Sequence, residues 1–124
     1  ENQLEKGDYE LCTFLNCNFS NSDLSKVLFI ECEFYDCNLS MANFYQTGFQ
    51  DVIFKDCKML GLHFEKCRDF LFSIKVDNCQ LNHSSFYQQK LAKTFIDGIF
   101  YIIELLLHPL VPLQAAQTRR PLHQ

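Results

Sequence analysis

Phe29-Ile30-Glu31-Cys32-Glu33-Phe34-Tyr35-Asp36-Cys37-Asn38-Leu39-Ser40-Met41-Ala42-Asn43-Phe44 carries a large apolar residue at every fifth position. Extended in both directions, the series reads Tyr9, Phe14, Phe19, Leu24, Phe29, Phe34, Leu39, Phe44, Phe49, Phe54, Met59, Phe64. A helix of 3.6 residues per turn would carry a spacing of five around all its faces. A continuous strand alternates with period two, so an odd spacing would flip each apolar residue to the opposite side. The chain must therefore turn a corner within every five-residue unit.

In a short extended segment, residues two apart share a face. The residue two before each centre should therefore also point inward. These positions read Cys12, Cys17, Ser22, Val27, Cys32, Cys37, Ala42, Thr47, Val52, Cys57, Leu62, small or medium throughout. The residue between should point out: Thr13, Asn18, Asp23, Leu28, Glu33, Asn38, Asn43, Gly48, Ile53, Lys58, His63. The last two residues of each unit form the corner and are mostly polar, as in Ser20-Asn21 and Lys55-Asp56.

Ser22-Asp23-Leu24-Ser25-Lys26 and Ala42-Asn43-Phe44-Tyr45-Gln46 follow the A(D/N)LXX wording of the pentapeptide-repeat family. Cys17-Asn18-Phe19-Ser20-Asn21 and Cys37-Asn38-Leu39-Ser40-Met41 follow it with Cys in place of Ala. The resemblance runs over residues 7–96. It implies an all-β fold, a right-handed quadrilateral parallel β-helix of about 4.5 coils, with four units per coil and coils ~4.8 Å apart. Stacking then predicts inward columns: Phe14, Phe34, Phe54; Leu24, Phe44, Phe64; and Cys17, Cys37, Cys57.

After Phe64 the next in-register centre is Asp69, which cannot fill an apolar column. The rhythm returns at Val76, Leu81, Phe86, Leu91 and Ile96, so two residues are extra within Lys66–Ser73. Allowing for them sets Cys79 over Cys57 and Phe86 over Phe64. The surplus should form a bulge, with either Phe70 or Phe72 replacing Asp69 inside.

The pattern places the β-helix at residues 1–97. Asp97-Gly98 is a turn signal. Residues 98–113 are largely apolar, interrupted by Glu104 and stopped by His108-Pro109; the run is too short and too interrupted for a membrane span. It reads as a helix that caps the solenoid or pairs two copies into a homodimer. The rival reading is a truncated or out-of-frame terminus. Residues 114–124 read as a disordered tail.

Cysteine spacings of 5, 15, 5, 20, 10 and 12 contain no CxxC pair, so the thiols read as small core residues, not metal ligands. No glycine-rich phosphate loop and no Ser, His, Asp constellation is evident, and no cofactor is expected. The odd cysteine count and the absence of a basic-then-apolar leader favour a reducing, cytoplasmic setting. Residues 1–54 carry nine acids against Lys6 and Lys26, for −7, whereas 55–97 carry five acids and seven bases, for +2. An acidic half argues against direct nucleic-acid binding.

The wording at Phe29–Phe34 and Phe34–Phe44 is similar to the bacterial Qnr-like branch of the family. That resemblance implies a non-enzymatic protein that imitates duplex DNA, binds DNA gyrase or another topoisomerase, and protects it from quinolones. The imitating charges would be Asp8, Asp23, Glu31, Glu33, Asp36, Asp51 and Asp56. The alternative is an interaction scaffold or regulator with another protein partner, for which outward Leu28, Ile53 and Leu60 offer a contact patch.

Overall fold

Phe14 pairs with Phe34, and Phe34 with Phe54, on successive parallel strands. The computed structural model, which describes residues 3–86 and 94–97, repeats this step around a four-sided solenoid. The first side holds β1 (Asp8–Glu10), β3 (Leu28–Ile30) and β5 (Gly48–Gln50). The second holds β2 (Thr13–Leu15), β4 (Glu33–Tyr35), β6 (Val52–Lys55), β7 (Ile74–Asp77) and β8 (Thr94–Asp97). The third and fourth sides are joined by single parallel bridges, such as Asn18↔Asn38↔Lys58↔Gln80 and Asp23↔Asn43. Both sheets are parallel, as winding in one direction requires.

The corners explain the odd repeat. Leu11, Asn16, Asn21, Lys26, Glu31, Asp36, Met41, Gln46, Asp51 and Asp56 all have φ between 51° and 65°. One left-handed residue per unit redirects the chain, so each five-residue unit ends in a turn. Side chains other than Gly and Asn are strained there. The coil-to-coil hydrogen bonds that hold the corners, such as Asn16 N–H to Tyr35 O at 3.0 Å, outweigh that strain.

The inward columns are those the spacing predicts. Rings stack within a column, with Phe14–Phe34 at 4.7 Å, Phe34–Phe54 at 5.0 Å and Phe64–Phe86 at 4.5 Å. Neighbouring columns meet edge to face, as Phe29–Phe34 (5.3 Å, 74°) and Phe49–Phe54 (5.5 Å, 75°) do. Both arrangements suit the aromatic quadrupole. Phe44 and Phe64 meet at 67°, so this column tilts before Phe86.

Cys37, Cys57 and Cys79 are buried beside these rings and Cys17 is half-buried in the first coil. Each thiol finds a carbonyl: Cys37 Sγ lies 3.4 Å from Phe14 O, Cys57 Sγ 3.4 Å from Phe34 O, and Cys79 Sγ 3.4 Å from Phe54 O. No buried side-chain nitrogen or oxygen among the described residues lacks a hydrogen-bond partner.

The register slip falls where the sequence places it. Arg68 N–H still bonds Thr47 O in the regular step, whereas Ile74 pairs with Val52, two residues late. Asp69, Phe70 and Leu71 stand outside, Phe70 at 72% exposure, and Phe72 turns in at 2%. A short 3-10 turn, Phe64–Lys66, precedes the slip. β8 continues the second sheet through Val76↔Ile96. The expected element at 98–113 and the tail at 114–124 lie outside the described residues, as does Leu91.

Candidate partner-binding face

Solenoid stacking sorts outward residues by their place in the coil. Glu31 and Asp51 occupy one corner column, between the first and second sides. Asp36 and Asp56 occupy the next, between the second and third. Glu33 lies on β4, on the side between those corners. Five carboxylates thus frame the second side over two successive coils. All four corner acids are exposed and Glu33 is half-buried.

The same side also carries bases: Lys55 lies between Asp51 and Asp56 in the second of these coils, and Lys75 lies in the coil below, which also bears Asp77. Glu33 is followed by Ile53 and Lys75 down one outward column, and Tyr35 by Lys55 and Asp77 down the other. The Tyr35 hydroxyl donates to Glu33 Oε1 at 2.7 Å, which raises the phenol's pKa. That bond ties Glu33 to Tyr35 at the far end of the same strand. Asn78 donates to Asp56 from the coil below.

Asp23 does not join this group. It sits on the fourth side, across the solenoid, and makes an ion pair with Lys6 at 3.3 Å. Bonds from the Ser25 hydroxyl and then the Ser25 amide, with a smaller contribution from Lys6, draw its carboxyl down to about 2. Asp8 lies on β1 of the first side, away from the framed one. Leu28, Ile53 and Leu60, expected to stand out, are only half-exposed. Leu28 lies against Gly48, where an added Cβ would meet its Cδ1 at 2.5 Å. Among the described residues the large exposed apolar side chains are instead Leu11, Leu15, Met41, Tyr45, Phe70 and Leu71.

One polar cluster escapes inspection of the unaligned sequence. His63 Nδ1 lies 3.1 Å from Ser85 Oγ and 3.4 Å from Glu65 Oε2, and Ser85 donates to Glu65 Oε1 at 2.8 Å. The spacing of 22 between His63 and Ser85, once the slip is counted, is the signal that would have found it. Ser85 is buried and gives its proton to Glu65 instead of His63. The cluster therefore has the geometry of a coil-to-coil tie, not of an activated nucleophile. Among the described residues no group of three or more His, Cys, Asp or Glu side chains is placed to hold a metal ion. Among the same residues no helix is long and apolar enough to cross a membrane.

Comparison with known proteins bears on the fold. The family described as pentapeptide repeat region matches residues 7–86. Among solved structures, the chain is similar to a trypsin-treated point variant of QnrB1, described as a plasmid-mediated fluoroquinolone resistance protein. The identity is 28% over 74% of this chain and 47% of that one, with a TM-score of 0.36. The chain spans about half the length of that protein. No curated protein matches it.

Proposed function

The chain belongs to the pentapeptide-repeat family, and from that premise we propose that it is a non-enzymatic, cytoplasmic protein that imitates duplex DNA and binds a type II topoisomerase such as DNA gyrase. The observation that carries this reading is the pair of acidic corner columns, Glu31 with Asp51 and Asp36 with Asp56, framing one flat side. With a coil rise of ~4.8 Å, two carboxylates per coil amount to about one charge per 2.4 Å of axis. Duplex DNA carries about one per 1.7 Å. Over these two coils the charge density is of the same order, on a rigid convex body whose backbone is hydrogen-bonded internally. A cationic groove evolved for phosphates meets a similar field.

Lys55, between Asp51 and Asp56, and Lys75 in the next coil offset part of this charge, so the acidity is densest around Glu31, Glu33 and Asp36. Binding should therefore be local, at one stretch of the enzyme's DNA path. The test is gyrase supercoiling in the presence of ciprofloxacin. The chain should restore supercoiling, or inhibit it alone at higher concentration. The four-site variant Glu31→Gln, Asp36→Asn, Asp51→Asn, Asp56→Asn should lose at least about tenfold in potency. Neither protection nor inhibition at micromolar protein would leave the alternative, a scaffold for a different protein partner.

A further inference from the structure

The corner between the first and second sides carries Leu11, Glu31 and Asp51, twenty residues apart and left-handed with φ of 56°, 51° and 54°; in the next coil the two-residue slip sets Ser73 against this corner and leaves Phe70 and the left-handed Leu71 (φ 54°) protruding beside it. Together they form one convex ridge, apolar at both ends and acidic in the middle. Leu11 is 74% exposed and Leu71 61%, and Phe70 stands beside Leu71 at 72%. Three coil rises separate the ends, about 14 Å. The cost of this arrangement is visible twice. Leucine is poorly suited to a left-handed corner, and Phe70 is left in water, whereas the other phenylalanines from Phe14 to Phe86 are buried or half-buried. The register slip keeps it there, because Phe72 fills the interior in its place.

We propose that this ridge is the edge that enters the partner, and that it fits a protein groove whose walls are lysine- and arginine-rich and whose floor has apolar pockets about 14 Å apart. This deepens the proposed function and rests on it. The occupant is identified by complementarity. Glu31 and Asp51 require cationic walls, and Leu11 and the Phe70–Leu71 pair require apolar pockets that a nucleic-acid groove site has no use for. The two chemistries divide the work. Exposed acids steer encounter and fix the salt dependence, whereas a desolvated aromatic or leucine anchor governs how long the complex lasts. The apolar ends thus distinguish this protein from the duplex it imitates.

The experiment is binding kinetics on immobilised gyrase across a range of salt. Asn is at ease in left-handed geometry, so Leu11→Asn and Leu71→Asn remove the anchors while favouring the fold; Phe70→Ser completes the set. The Phe70→Ser, Leu71→Asn variant should dissociate about tenfold faster, with an association rate within about twofold of the parent and an unchanged salt slope. Leu11→Asn should accelerate dissociation by several-fold. Glu31→Gln with Asp51→Asn should instead slow association and flatten the salt slope. Dissociation rates unaltered by all three apolar substitutions, in a parent that binds, would overturn the ridge and leave the proposed function standing. A parent that does not bind gyrase would overturn both.

Discussion

The backbone N–H of Cys57 donates to the sulfur of Cys79 at 3.4 Å, across 22 residues instead of twenty. The inward column survives the slip because the two surplus residues are spent outside, in the turn at Phe70 and Leu71. Stacking is resumed at Ile74 against Val52 without loss of direction. The solenoid therefore tolerates extra residues at a corner provided that an apolar side chain still fills the interior.

Phe34 stacks on Phe14 above and Phe54 below, meets Phe29 edge to face, and has no solvent exposure. Phe34→Ala should cost about 3–5 kcal/mol, because the rigid coils cannot collapse into the void. Urea unfolding measures it; a loss below about 1 kcal/mol would mean that the column is not packed as described.

Corner strain predicts a gain elsewhere. Gln46 is exposed at φ 56°. Gln46→Asn should stabilise the protein by about 0.5–1 kcal/mol by relieving a left-handed conformation that glutamine resists. The same titration reads it, and a destabilised variant would contradict the corner's role.

Acid sensitivity should reside partly in Asp23. Its folded carboxyl is drawn down to about 2, by Ser25 first and Lys6 last. A depressed carboxyl contributes stability that is fully present above its unfolded value of about 3.9 and is lost as pH falls toward the folded one. Asp23→Asn should flatten the decline in thermal midpoint between about pH 4 and pH 2 relative to the parent. An identical decline in both proteins would show that the carboxylate contributes nothing.

Thiol chemistry should follow the ladder from its open end. Cys12 and Cys17 are half-exposed, and the other five cysteines are buried. The bond with Cys37 favours the Cys57 thiolate, but the bond with Cys79 and burial outweigh it and push the thiol up to about 12. Iodoacetamide on the native protein should label Cys12 and Cys17 first, and Cys57 only on unfolding. Peptide mass spectrometry over a time course resolves the order; early labelling of Cys57 would place it outside the core.

The five-residue rhythm made the columns legible because each central position is large and apolar over twelve units. The slip was legible because Cys79 and Phe86 return two columns together. Which phenylalanine fills the gap was not. Phe70 and Phe72 are equally apolar, and the choice depends on where the left-handed corner falls, at Leu71. Nor does an inventory of acids reveal a face. Asp23 looks like Glu33 in its repeat, since both precede a central residue, yet the two lie on opposite sides. Position within the twenty-residue coil is what separates them. The tie of His63 to Ser85 depends on the same count.

An acidic side that imitates duplex DNA should occupy a site meant for DNA. Fluorescence anisotropy of a labelled duplex bound to gyrase measures this directly. The parent chain should displace the duplex in proportion to its concentration, and the four-site variant neutral at Glu31, Asp36, Asp51 and Asp56 should not. A parent that leaves the anisotropy unchanged, or a neutral variant that displaces the duplex equally well, would contradict the account.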